Sequence, residues 1–225
     1  MASSPNTVPL AIIFGGIILA IAVFFALRED TRGLPRLPAS ASVRPVGATD
    51  HILGNPTAPI TIIEYTDFDC SYCKTFDTVM RQIVAEHGVT GEVAWVVRNF
   101  ALTELHPNAK RHAEAAECVA VSAGNDAYWE FIESLFLHQP TEPTRYAEFA
   151  KAAGADPAKV AACLQNPTTV DADIDADREN AIAAGAEGTP YSILLIKGKE
   201  PLVLSGAWGY ADLKALIERT LEDLQ

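Results

Sequence analysis

The chain has 225 residues, 49% of them hydrophobic and 20% charged, with 17 Lys and Arg against 29 Asp and Glu. This composition fits one sizeable globular domain with appendages, and a net charge of −12 argues against a nucleic-acid binder, which would carry a basic face or stripe. Four cysteines permit two pairs, but in a chain this long the count alone fixes no redox compartment.

No charged side chain precedes Arg28, and the run from Val8 to Leu27 is almost wholly apolar. As a helix it reaches about 30 Å, the thickness of a bilayer's hydrocarbon core. The predicted organisation is a short tail over 1–7, a transmembrane anchor over 8–27, a flexible tether over 28–58, and a folded domain over 59–225. A buried core helix fits poorly, because such helices seldom run this far without a polar residue. A cleaved signal peptide is the stronger rival, yet its apolar region is usually about 7 to 15 residues with a basic start, which this chain lacks. Ala39-Ser-Ala41 looks like a cleavage site but lies far downstream. Arg28, Arg32 and Arg36 follow the span, and the positive-inside rule taken literally keeps the domain in the cytoplasm.

Within the domain, Pro59-Ile-Thr-Ile-Ile-Glu-Tyr65 predicts a strand over 60–66. A helix over 70–87 follows, with Phe76, Val79, Met80, Ile83 and Val84 on one face and His87-Gly88 as its stop. Strand formers fill 92–99. From about 108 to 185 the segments are Ala-rich and helical, broken at Gly124-Asn125, Pro140 to Pro143, Gly154 to Pro157, and Pro167. Strands over 191–197 and 202–205 flank the turn Gly198-Lys-Glu-Pro201, and a helix over 211–224 closes the order βαβ, helical block, ββα.

Cys70-Ser-Tyr-Cys73 sits where the first strand gives way to the first helix. Two cysteines three apart in a helix's first turn can close a small disulfide ring. The unpaired N–H groups and positive dipole end there stabilise a thiolate on the first sulfur. Half a zinc site has the same spacing, but a structural zinc needs four ligands, and no second close pair or neighbouring His supplies them.

The run Glu64-Tyr-Thr-Asp-Phe-Asp-Cys-Ser-Tyr-Cys73, the helical block, and Gly188-Thr-Pro-Tyr191 just before a strand together resemble the DsbA-like branch of the thioredoxin superfamily, from about residue 50 onward. The resemblance implies an α/β, thioredoxin-like fold with a helical insertion, here preceded by the transmembrane helix. It implies thiol:disulfide exchange with protein substrates, no cofactor and no metal, an extracytoplasmic domain, and a separate redox partner that regenerates the pair. Cys70 is then the exposed thiolate, lowered to somewhere in about 3.5 to 7.5, and Cys73 resolves the mixed disulfide. An oxidase that introduces disulfides is the first expectation, with isomerase or reductase as alternatives. Ser71 and Tyr72 depart from the Pro-His pair of the strongly oxidising prototype, and with Thr189 they resemble features of isomerases. A thioredoxin-like protein that binds a metal or a client without turnover is the rival of another class.

The same resemblance implies a cis Pro190 beside the cysteines, leaving the Thr189 backbone free to pair with an extended substrate. It also implies a buried acid beneath the pair at Glu64, raised in pKa and able to accept the Cys73 proton. A strand-edge Glu64 facing water fits period-two alternation equally well. Asp67 and Asp69 are expected in loop or capping roles, where a carboxylate beside Cys70 disfavours its thiolate. Cys118 and Cys163 are expected to form a disulfide joining two insertion helices, as occurs in some DsbA-like members, which would stabilise the fold by about 4 kcal/mol; two separate buried thiols are the alternative. His106 either lines the groove or sits in a turn leading into a helix, and His112 and His138 are expected on the surface. Asp171-Ala-Asp-Ile-Asp175 imitates a calcium loop, but Ala176 and Ile182 stand where Gly and a bidentate Glu are needed, so a solvated helix face is expected.

Overall fold

The computed structural model describes residues 36–37 and 41–224. The proposed span over 8–27 lies outside them. Among the described residues no helix is long and apolar enough to cross a membrane.

A five-stranded sheet of order β1-β3-β2-β4-β5 forms the centre. Its strands are β1 (His51–Gly54), β2 (Ile60–Thr66), β3 (Val93–Asn99), β4 (Tyr191–Ile196) and β5 (Leu202–Ser205). β2 runs parallel to β3 and antiparallel to β4, so it is paired along both edges. Its sequence, Ile-Thr-Ile-Ile-Glu-Tyr-Thr, is rich in β-branched and aromatic residues, which pack well on a pleated surface covered on both sides. Alternation then divides the strand. Ile63 and Tyr65 join a core with Val96, Phe100, Ala181, Ala184 and Ile193, whereas Ile62 and Glu64 share the opposite face with Trp95.

Helix α1 (Ser71–Ile83) ends in a π turn over Val84–Gly88, several residues short of the single uninterrupted helix expected from the apolar periodicity. Phe76, Met80 and Ile83 are buried along its inner face, and the Arg81 guanidinium lies 6.0 Å from the Trp95 ring centroid. The insertion comprises α2 (Ala109–Ala123), α3 (Asn125–Leu137), α4 (Tyr146–Ala152), α5 (Pro157–Gln165) and α6 (Thr168–Ala183), and α7 (Tyr210–Glu222) follows the sheet. Asp156 caps α5 by accepting from Ala158 N, with Pro157 at the first helical position. A disulfide between Cys118 and Cys163, Cα to Cα 5.8 Å, fastens α2 to α5. Asp171 to Asp175 lie within α6, where Asp171 pairs with Lys110.

The tether expected over 28–58 ends earlier than that. Residues 51–54 form an edge strand antiparallel to β3. Gly54 ends it at φ 96°, where a Cβ would stand 2.6 Å from the Val93 carbonyl oxygen. The segment before β1 is held by a buried polar network. Arg98, fully buried, takes Asp50 in a two-point ion pair at 2.7 and 3.0 Å, Arg44 pairs with Asp177 at 2.6 Å, and Asn180 bonds the backbone at Ser42 and Arg44. Composition hid this, because the anchoring comes from partners more than forty positions away.

Candidate active site

Cys70 is the N-cap of α1, and its N–H donates to the Asp67 carbonyl at 3.1 Å. Gln139, from the loop after α3, donates its Nε2 to the carbonyls of Phe68 at 2.7 Å and Cys70 at 3.3 Å, bracing the turn that presents the sulfur. The two thiols are unequal. Donation from the Cys73 thiol holds Cys70 down to about 5 against the cost of its desolvation, with help from the N–H groups of Cys73 and Tyr72 at the helix start. Burial pushes Cys73 well above the ordinary thiol value, and the Cys70 and Glu64 charges add to it. Cys70 is 7% exposed, less open than expected, while Cys73 is wholly covered.

The Thr189–Pro190 peptide is cis, and Cys70 Sγ lies 3.6 Å from the Thr189 carbonyl oxygen. The Gly206 N–H donates to the Pro190 carbonyl at 3.0 Å, and Glu187, Gly188, Thr189, Ser205 and Gly206 line a groove beside it. Ser71 is exposed and Tyr72 is 69% exposed, so neither is packed against the sulfurs from within.

Glu64 is buried, not at a solvent-facing edge. Desolvation raises its carboxyl to about 8; Thr66 and the Trp95 indole, which donates to Oε2 at 3.0 Å, work against the shift, and the Asp77 and Cys70 charges add to it. Asp77 escaped the sequence reading, although its position one turn after Cys73 on α1 is an i, i+4 relation that could have exposed it. Burial raises Asp77 to about 6 against the pull of Arg81, which donates to Oδ2 at 2.9 Å, while Oδ1 is buried without a partner.

Asp67 and Asp69 bear more weight than their expected loop roles imply. Asp67 Oδ1 accepts from Asp69 N at 2.8 Å, and Oδ2 accepts from Leu102 N at 2.8 Å and from His106 Nδ1 at 3.0 Å. His112, expected on the surface, is fully buried: Nε2 lies 3.0 Å from Asp69 Oδ1 and Nδ1 lies 2.6 Å from the Tyr146 hydroxyl. Burial lowers its pKa against the pull of Asp69, so the neutral ring donates from Nε2 to the carboxylate and accepts from Tyr146. Its position on a helix within the insertion gave the sequence no means of seeing a partner on the loop before Cys70. His138 is exposed, as expected. Among the described residues no group of three or more His, Cys, Asp or Glu side chains is arranged to hold a metal ion.

A family model described as Thioredoxin matches residues 47–219. The chain is 31% identical over 206 residues to the Na(+)/H(+) antiporter NhaA 1 of Mycolicibacterium gilvum, a match covering 89% of this chain and 32% of that protein. It spans a third or less of the length of the curated relatives it matches. Among solved structures it is similar to oxidised BdbD of Bacillus subtilis, with TM-score 0.68 and 23% identity over 82% of this chain and 100% of that one. The thiol-disulfide exchange protein alpha-DsbA2 of Wolbachia pipientis gives TM-score 0.65 and 19% identity over 76% and 87%. At these identities the structural likeness is one of fold, and the family match over most of the sequence leads to one conclusion: the chain belongs to the thioredoxin family.

Proposed function

We propose that the chain is a thiol:disulfide oxidoreductase acting on protein thiols and disulfides through Cys70 and Cys73, most readily as an oxidase. The observation that carries this is the inequality of the two thiols: Cys70 caps the start of α1 beside the cis Thr189–Pro190 peptide and is brought down to about 5, while Cys73, one turn on, is wholly covered and pushed up by burial. In the oxidising direction a substrate thiolate attacks Cys70 Sγ of the Cys70–Cys73 disulfide. That bond breaks, and Cys73 leaves and takes a proton from Glu64. A second substrate thiolate then attacks the substrate sulfur of the mixed disulfide, expelling Cys70 as the thiolate. The substrate loses two electrons and gains a disulfide, and the enzyme ends reduced, with Cys70 as the thiolate, Cys73 as the thiol and Glu64 as the carboxylate. In the reverse direction Glu64 accepts the Cys73 proton while Cys73 resolves the mixed disulfide.

The stabilised Cys70 thiolate favours oxidation of substrates, because a stable reduced form makes its disulfide the stronger oxidant. Thr189 and cis Pro190 present backbone beside Cys70 for an extended substrate, and exposed Tyr72 offers it an aromatic contact. Isomerase or reductase chemistry uses the same groups and rests on Ser71, Tyr72 and Thr189. The antiporter named among the relatives is a protein of which this chain spans 32%, and ion transport is not part of this proposal.

The Cys118–Cys163 disulfide supports an oxidising, extracytoplasmic location for the domain, with the apolar run over 8–27 as a single-pass membrane anchor and a separate partner reoxidising the active-site pair. Arg28, Arg32 and Arg36 oppose that orientation, and alkylation of Cys70 on intact cells by a membrane-impermeant reagent decides it. Activity is tested by following oxidation of a reduced, unfolded protein and reduction of insulin, with Cys70→Ser as control. Faster oxidation than reduction supports the oxidase, and activity retained in Cys70→Ser removes the proposal.

A further inference from the structure

Ser71 and Tyr72 bring no charge to the space between the cysteines, yet a second imidazole stands across the loop. His106 Nδ1 lies 3.0 Å from Asp67 Oδ2, and Asp67 builds the turn that carries Cys70, accepting from Asp69 N with its side chain and from Cys70 N with its carbonyl. The His106 side chain is 26% exposed, so its proton exchanges with solvent, whereas Asp67 is fully covered. We propose that His106, as an imidazolium paired with Asp67, is the cation that tunes the Cys70 thiolate, and that its protonation sets how oxidising the Cys70–Cys73 pair is. This inference rests on the thiol-exchange reading and names the residue that regulates it.

Asp67 and Asp69 precede the nucleophile by three residues and one, and both place negative charge beside a sulfur that must itself carry one. With His106 protonated, the His106–Asp67 pair is neutral as seen from Cys70. With His106 neutral, Asp67 stands uncompensated and the thiolate is disfavoured. His106 is a positioning residue in this scheme, acting by charge across the loop and not by touching the substrate. The groups facing it are Asp67 and Asp69 from the loop after β2 and Cys70 from the start of α1. On α2, His112 is neutral and engaged by Asp69 and Tyr146, and Lys110 is drawn away to Asp171. Desolvation works to lower the His106 pKa but is outweighed by the Asp67 bond and charge, then by Cys70 and Asp69, leaving it raised. The coupling is reciprocal: a thiolate that favours the imidazolium is favoured by it to the same degree. A stabilised thiolate means a stabilised reduced form, hence a more oxidising disulfide, and this gain fades as pH rises through the His106 titration.

The full chain, poised as dithiol or as disulfide by glutathione mixtures, is titrated by NMR at the His106 ring. The expected midpoint is higher in the dithiol protein than in the disulfide protein; equal midpoints overturn the proposal without any substitution being made. In His106→Gln, the Cys70 thiolate absorbance should titrate at higher pH, and the equilibrium with glutathione should move about tenfold toward the disulfide protein, the equivalent of one pKa unit. His106→Lys, which keeps a cation, should restore the wild-type position. A lysine variant that behaves like the glutamine variant overturns the charge assignment. A chain that exchanges with glutathione but oxidises no protein would refute the proposed function while leaving these titrations interpretable.

Discussion

Trp95 on β3 donates its indole N–H to the carboxyl of Glu64 on β2 at 3.0 Å, inside a face of the sheet that contains no solvent-exposed neighbour on either strand. The same indole lies 6.0 Å from the guanidinium of Arg81, whose Nε donates to Asp77, so two buried carboxyls are linked through one aromatic and one cation. Glu64 titrates near 8 because burial outweighs the donors that favour its anion, and Asp77 adds repulsion.

Two substitutions should therefore move the Glu64 midpoint in opposite directions. Trp95→Phe removes a donor to the anion and should raise it. Asp77→Asn removes a neighbouring negative charge and should lower it. Carboxyl 13C shifts of Glu64 across pH 5 to 10 read both, each change being on the order of one unit. Movement of both midpoints in the same direction would contradict this account of the site.

Glu64→Gln should slow resolution of the mixed disulfide by about 100-fold, the lower end of general acid–base contributions, while formation of that disulfide at Cys70 changes little. Stopped-flow release of a fluorescent thiol from Cys70 separates the two steps. Loss in both steps alike would mean that Glu64 supports the fold and not the proton transfer.

Stability should depend on pH with opposing signs from two sets of acids. Glu64 is protonated more readily in the folded chain, so its contribution is full below its unfolded value near 4.3 and is lost as pH rises toward about 8. Asp77 and Asp177, both raised to about 6 by burial, act in the same sense. Asp50 is lowered despite desolvation by its bonds to Arg98 and Gly47, so it contributes above its unfolded value near 3.9 and that contribution is lost in acid. Urea unfolding should show Glu64→Gln gaining on wild type as pH rises from 5 to 9, and Asp50→Asn losing most near neutrality.

Replacing Cys118 and Cys163 together by Ser should cost about 4 kcal/mol in the chain-entropy picture, with the loop they close released in the unfolded state. The same urea curves measure it. Thiol exchange at Cys70 and Cys73 should survive at temperatures where the double variant remains folded, since the bridge joins α2 to α5 and its sulfurs take no part in the exchange.

The parts of this fold that were readable in the sequence are those fixed by local pattern. Ile60 to Thr66 declared a strand by composition, and Cys70 marked the start of a helix whose apolar face recurs every third or fourth residue. What escaped depends on contacts between distant positions. His51-Ile-Leu-Gly54 is too short to signal a strand without β3 beside it. His112 looks like any polar residue of an Ala-rich helix until α2 packs it against Asp69 and Tyr146. Arg98, the only charged residue of β3, shows no partner in the sequence around it, yet Asp50 and Asn180 make it a buried hub. At the site itself, the spacing of the cysteines and the acid at Glu64 were legible, but what sets the two thiols apart, the burial of Cys73 and its donation to Cys70, depends on packing that the sequence does not display.

The most direct test is covalent trapping. Cys73→Ser leaves Cys70 able to attack a disulfide substrate but removes the thiol that releases it. Incubated with a disulfide-bonded protein, this variant should accumulate a one-to-one mixed disulfide that intact-mass and peptide analysis assign to Cys70, and that forms at pH 6 because the thiolate is already present there. No adduct at Cys70, or an adduct equally abundant in Cys70→Ser, would contradict thiol:disulfide exchange at this site.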